Sequence, residues 1–185
     1  RPLPEPFLVL ATQNPVELEG TYPLPEAQID RFLLKVVVTY PTREEEKKIV
    51  ARMSSTRPLP AVKQVATSEQ VFAARELLDE VYVDDKVLTY LVDLAFATRR
   101  PAEAGLPDLE HLILYGISPR GSIGLTKCAR AFAFLEGRGF VTPNDIKSVA
   151  MDVLRHRVII TYEAEAEGIT AEKVIQRVLD EVKVP

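Results

Sequence analysis

The sequence predicts a mainly α fold preceded by a small α/β segment. Two observations carry that prediction. Residues 42–185 show a succession of helix-start signals, each followed by apolar residues at helical spacing. Residues 1–41 instead hold two short apolar runs, the second broken by Lys35, set among prolines and turn formers. Composition agrees with a folded chain: of 185 residues, 46% are hydrophobic and 27% charged, which is ample apolar material for a core and excludes global disorder.

In chain order, Phe7-Leu8-Val9-Leu10 has the pattern of a strand buried on both faces, ended by Ala11-Thr12-Gln13-Asn14-Pro15. Leu24–Arg31 reads as a short helix with proline in its first turn, and Phe32–Val38 as a second buried strand. Thr42-Arg43-Glu44-Glu45 forms a capping box, in which the hydroxyl takes one orphan amide and the carboxylate reaches back to the cap. Thr67-Ser68-Glu69-Gln70 has the same form and opens a helix through about Leu78. Val87, Leu88, Leu91, Val92 and Ala95 share one helical face. Ser118-Pro119 starts a helix that Gly137 stops, and Thr142-Pro143-Asn144-Asp145 starts the next. Thr170 caps a last helix carrying Val174, Ile175, Val178, Leu179 and Val182. The connections at 54–66 and 99–117 bear prolines, and His111–Tyr115 reads as a short strand.

Several function classes find no support. The longest apolar stretches fall far below the ~18 residues of a membrane span. A single cysteine, Cys128, allows no intrachain disulfide, and with only His111 and His156 it makes no closed structural zinc site without carboxylates. The net charge of −4 argues against non-specific nucleic-acid binding. Arg1-Pro2-Leu3-Pro4 does not read as a signal peptide. No phosphate loop occurs; the nearest miss, Gly116–Ile123, lacks the lysine. Neither Gly121-x-x-Gly124 nor Gly137-x-Gly139 completes a dinucleotide fingerprint, and the serine-hydrolase elbow and the zinc-protease helix are absent. Cys128, in an alanine-rich helical segment, reads as a buried inert thiol. His156 lies between two arginines at a helix end, where a cation suits the helix dipole.

Three polar residues stand where chemistry can use them. Asn14 ends a predicted strand, where open α/β sheets bind ligands; a turn role before Pro15 fits equally. Arg31 lies between a helix and a strand, suited either to phosphoryl charge on a neighbouring subunit or simply to solvent. Arg120 occupies the first turn of a helix, against the dipole, which points to a reason beyond local preference.

Phe7-Leu-Val-Leu-Ala-Thr-Gln-Asn-Pro15, followed by the run from Glu19 through Pro25-Glu-Ala-Gln-Ile-Asp-Arg-Phe32 to Lys35, resembles the MoxR branch of the AAA+ ATPases. Tyr40–Glu46, Ser118-Pro-Arg120, Val141–Asp145 and Val153-Leu-Arg-His-Arg157 extend the likeness over nearly the whole chain. The resemblance implies the C-terminal part of an AAA+ P-loop NTPase core, residues 1–41, followed by a helical lid bundle, residues 42–185. It implies that the chain is a C-terminal fragment, since the family's phosphate loop and acidic metal-binding strand lie upstream. By the same resemblance, Asn14 matches the sensor 1 residue that orients the hydrolytic water. Arg31 matches the arginine finger acting in trans, and Arg120 the sensor 2 arginine reaching nucleotide from the lid. Where Gly121 and Gly124 stand, the family more often has alanine. Each glycine costs a helix ~1 kcal/mol, so this turn is expected to be irregular or closely packed.

The resemblance further implies a cytoplasmic, ring-forming parent, expected to be a hexamer, that uses ATP and Mg²⁺. Its expected work is chaperone-like remodelling or maturation of partner proteins, among them von Willebrand factor A domain proteins. The fragment alone is expected to be inactive and to hold no tightly bound cofactor. Residues 1–41, cut from their sheet, are expected to be poorly ordered or paired with another copy. A non-enzymatic helical interaction module and a magnesium-chelatase-type ATPase subunit are the alternative readings.

Overall fold

The computed structural model describes residues 3, 5–13, 24–56, 58 and 61–185. Its helices are α1 (Glu26–Ile29), α2 (Arg43–Met53), α3 (Ser68–Glu80), α4 (Asp85–Arg99), α5 (Pro119–Leu135), α6 (Pro143–Leu154), α7 (Tyr162–Ala166) and α8 (Ala171–Glu181). Two short strands, β1 (Ile113–Tyr115) and β2 (Ile159–Ile160), pair antiparallel, and a 3₁₀ turn spans Pro107–Leu109. The fold is mostly helical with this one small sheet among the described residues.

The helix ends follow local chemistry. The Thr42 amide donates to the Glu45 carboxylate at 2.8 Å while the Glu45 amide donates back to the Thr42 hydroxyl at 3.4 Å. Thr67 and Gln70 exchange the same pair of bonds, at 2.9 and 3.3 Å. Gly137, at φ 73°, closes α5: its amide donates to the Phe134 carbonyl and that of Arg138 to the Ala133 carbonyl, the paired bonds of a Schellman stop.

The core lies between α4, α5, α6 and α8, where Leu94, Leu125, Ile146 and Val153 are wholly buried. Each such side chain contributes about 1.5–3 kcal/mol by leaving water. The helices α2 and α3 bury no residue fully. Gly121 and Gly124 supply the expected close packing. A Cβ on Gly121 would stand 3.0 Å from Ile117 and 3.3 Å from Arg157, and one on Gly124 3.2 Å from Val153. Gly116 is tighter still, because a Cβ there would strike the Thr98 backbone carbonyl.

Three expectations need correction. Neither Phe7–Leu10 nor Phe32–Val38 is a strand; apart from the half-buried Phe32 both runs are exposed, with Leu8 at 76% and Val38 at 90%. A buried strand needs a neighbouring strand for its amides and carbonyls, and no described strand pairs with either run. His156 is not a surface cation at a helix end. It is buried, and burial pushes its pKa down, with the Phe32 carbonyl opposing and the Arg157 charge assisting. Cys128 is buried and free, as expected, and burial pushes its thiol up.

Asp145 shows how a polar group enters this core. Its side chain is 1% exposed, yet Arg138 grips it with two bonds, 2.8 and 2.5 Å, and the Thr142 amide and hydroxyl donate at 2.7 and 2.8 Å. Burial pushes the carboxyl up, but these donors outweigh it and hold the pKa below the ordinary value. A depressed carboxylate stabilises the fold fully above its unfolded value of about 3.9, and that contribution fades as pH falls below it. Asp145→Asn is therefore expected to cost about 2 kcal/mol at pH 7. The gap between variant and parent should close below about pH 4 in denaturant titrations. A constant gap down to pH 3 would contradict this account.

Candidate nucleotide-sensing site

The site is built around Asp30, just past α1. The chain turns there tightly: the Asp30 amide donates to the Glu26 carbonyl at 2.9 Å and that of Arg31 to the Gln28 carbonyl at 3.2 Å. Across from it, the loop leading into α5 is pinned to α4. The Ile117 amide donates to the Thr98 hydroxyl at 3.1 Å, and Arg99 Nε donates to the Ile117 carbonyl at 2.7 Å. Only glycine at 116 lets this loop lie against the Thr98 backbone. The loop delivers Ser118, whose hydroxyl accepts from the Arg120 amide at 3.2 Å and caps α5.

Three donors converge on the Asp30 carboxylate. Ser118 Oγ donates at 3.1 Å, Arg120 Nη1 at 3.4 Å and Arg157 Nε at 3.1 Å. The carboxylate thus sits at the N-terminus of α5, where a negative charge suits the dipole. It also answers the oddity of a cation in that first turn, since Arg120 is paired there. The two arginines differ in kind. The Arg120 side chain is 59% exposed, so its contact contributes ~1 kcal/mol at most. Arg157 is 3% exposed and uses its guanidinium fully. Besides the Asp30 carboxylate, it donates to the main-chain carbonyls of Asp30 (3.1 Å), Phe32 (2.6 Å), Leu33 (3.1 Å) and Val153. Burial lowers its pKa and the Asp30 charge opposes that shift. A guanidinium nonetheless stays charged. His156 Nε2 adds a bond to the Phe32 carbonyl at 3.0 Å, and the Lys35 amide donates to the Asp152 carbonyl at 2.8 Å. An acceptor on Nε2 selects the tautomer with its proton there, leaving the buried Nδ1 without a partner.

Of the residues singled out in the sequence, Arg120 reaches Asp30, the immediate neighbour of Arg31. The Arg31 side chain is exposed and has no polar partner among the described residues. Asn14 lies outside the described residues. Sequence reasoning missed Asp30 and Arg157, which are 127 positions apart. Both stood inside the quoted motifs, and only their long-range pairing gives them a role.

A cleft of about 170 Å³ opens beside this cluster, lined by Glu26, Asp30, Tyr115, Ser118, His156 and Arg157 among others. It is smaller than the roughly 300 Å³ at which small-molecule pockets begin. By itself the cleft does not enclose a ligand of nucleotide size. Arg120 fits a phosphate contact, being exposed, cationic and only weakly held. Among the described residues, no group of three or more His, Cys, Asp or Glu stands close enough to hold a metal ion. No helix of the described residues is long and apolar enough to cross a membrane.

Comparison with known proteins places the chain. The AAA lid domain family matches residues 109–178, and the family described as "ATPase family associated with various cellular activities (AAA)" matches residues 1–34. The chain is 46% identical over 184 residues to the "Chaperone MoxR1" of Mycobacterium tuberculosis, covering 100% of this chain and 48% of that protein. It is 30% identical over 164 residues to a magnesium-chelatase 38 kDa subunit of Chlorobaculum parvum, covering 84% of this chain and 41% of that protein. A solved structure, described as a "putative ATPase" from Cytophaga hutchinsonii, superposes with a TM-score of 0.95 at 46% identity. It covers all of this chain, which spans 56% of that one. The chain spans about half the length of the MoxR relatives it matches. The MoxR relatives are nearer than the chelatase subunits, and both family matches are to AAA proteins; the chain belongs to the MoxR branch of the AAA+ ATPase family.

Proposed function

We propose that this chain is the sensing and lid portion of a MoxR-type ATPase that couples ATP binding and hydrolysis to chaperone-like remodelling or maturation of partner proteins. Residues 1–41 are assigned to the end of the nucleotide-binding domain and 42–185 to the lid. The observation that carries the reading is the exposed, weakly held Arg120 at the start of α5, beside the turn of Arg31, in a chain resembling MoxR proteins throughout. Bound Mg²⁺-ATP supplies the γ-phosphoryl group and the metal that spreads its charge. Arg120 binds a phosphate from the lid. Arg31 faces the nucleotide of an adjacent subunit and stabilises charge there, and Asn14 orients the attacking water. Both trans-acting and cis-acting groups are needed, so the working form is a ring of subunits, placed in the cytoplasm, with von Willebrand factor A domain proteins as the class of partner.

The test is steady-state phosphate release. The intact ATPase is expected to hydrolyse ATP in a Mg²⁺-dependent way. The 185-residue chain by itself should show none above a mock purification, because it brings no phosphate loop. EDTA-sensitive turnover by the chain alone, or none by the intact protein under any nucleotide condition, would sink the reading.

A further inference from the structure

The turn that carries Arg31 bonds to its own short helix and is anchored to the rest of the molecule by the helical part. The helix α1 has four residues and buries none of them. Its C-terminal turn is gripped on both sides of Arg31: Arg157 takes the main-chain carbonyls of Asp30, Phe32 and Leu33, and also the Asp30 carboxylate. That leaves Arg31 exposed on a fixed backbone. The same carboxylate receives Arg120 at 3.4 Å, so one acidic side chain stands between the two arginines proposed to meet nucleotide. The three contacts are unequal. Arg157, 3% exposed, cannot leave without stranding a buried charge, whereas Arg120, 59% exposed, can leave readily.

We propose that Asp30 is a positioning residue that couples Arg120 to Arg31: through Arg157 it fixes the turn bearing Arg31, and it competes with a nucleotide phosphate for Arg120. This rests on the reading of Arg31 as a trans-acting finger and of Arg120 as a nucleotide-reaching arginine. Arg120 and Asp30 are an ion pair that must open for Arg120 to meet a phosphate, so the carboxylate sets a threshold on nucleotide binding. Arg157 and Ser118 keep Asp30 in place after Arg120 departs, so the turn stays anchored while nucleotide is sensed.

The informative variant is Asp30→Asn, which keeps the size and an acceptor oxygen but removes the charge. In the intact ATPase, Mg²⁺-ADP affinity measured by calorimetry is expected to rise about two- to fivefold, the range that loss of an exposed pair allows. At saturating ATP, kcat is expected to fall about tenfold, because a charge-assisted bond holding the finger turn is weakened. In the 185-residue chain, amide exchange at Phe32 and Lys35 is expected to quicken while Leu125 in the core is unchanged. A purely structural role would instead lower affinity and kcat together and quicken exchange throughout, and that result overturns the proposal. So does unchanged or weakened ADP binding in Asp30→Asn. Adding Arg120→Gln should abolish the affinity gain, and Asp30→Glu should return affinity toward the parent value. If Arg31→Ala leaves turnover intact, the finger reading fails by itself. The exchange and affinity measurements then still decide whether Asp30 anchors the turn and restrains Arg120.

Discussion

Arg31→Ala in the intact ATPase is expected to leave nucleotide affinity nearly unchanged and to cut turnover by about 10³ or more, the scale on which arginine fingers act. The reason is geometric. The Arg31 side chain is exposed, has no polar partner among the described residues and packs into no core, so its loss leaves the fold of its own subunit alone. A group that meets the transferring phosphoryl only across a subunit boundary contributes to the transition state and not to ground-state binding, so kcat falls and KM does not rise. Arg120→Ala is expected to differ, because the phosphate contact proposed for it from the lid contributes to binding as well; affinity and turnover should both fall. Asn14→Ala should lower turnover more than affinity. Turnover of wild-type and Arg31→Ala proteins, with nucleotide binding measured separately, checks the set. Equal losses of affinity in Arg31→Ala and Arg120→Ala would rule out the trans assignment.

Arg157→Ala is expected to be the most destabilising single change at the site. The guanidinium is 3% exposed and donates to Asp30 and to four main-chain carbonyls. Its removal leaves a partly buried carboxylate and several carbonyls short of donors, a loss of about 3–5 kcal/mol for a broken buried pair. Asp30 is 19% exposed and keeps Ser118, so the lower end applies, about 3 kcal/mol. For a chain of this size that corresponds to a drop in Tm of roughly 6–12 °C. Arg157→Lys should recover little, because an ammonium presents one point of charge where the planar fork serves five acceptors. Thermal and chemical unfolding of the 185-residue chain measure this directly. A loss below about 1 kcal/mol would show that the cluster is dispensable to the fold.

The sequence by itself determined most of the helical framework and the family. Thr42, Thr67, Ser118 and Thr170 mark helix starts because a short polar side chain satisfies an amide two or three residues on, and Thr142 marks one by donating its amide and hydroxyl to the Asp145 carboxylate. Gly137 marks a stop because it enters a left-handed conformation cheaply. These are interactions within a few residues, so they are visible in a linear string. The strand β2 and the helix α7, two and five residues long, went unseen because nothing periodic fits in so few positions. Tertiary structure alone decided what the apolar runs Phe7–Leu10 and Phe32–Val38 become, since an apolar run is a strand only when another strand lies beside it. It also decided the two residues on which the site turns. Arg157 reads in the sequence as one of three basic residues at a helix end, and Asp30 as the end of a short helix. Their meeting across 127 positions makes one an anchor and the other a shared acceptor, and it leaves His156 buried and neutral beside them. Contacts at such separation depend on how α6 and the turn after α1 pack, and no local pattern encodes that.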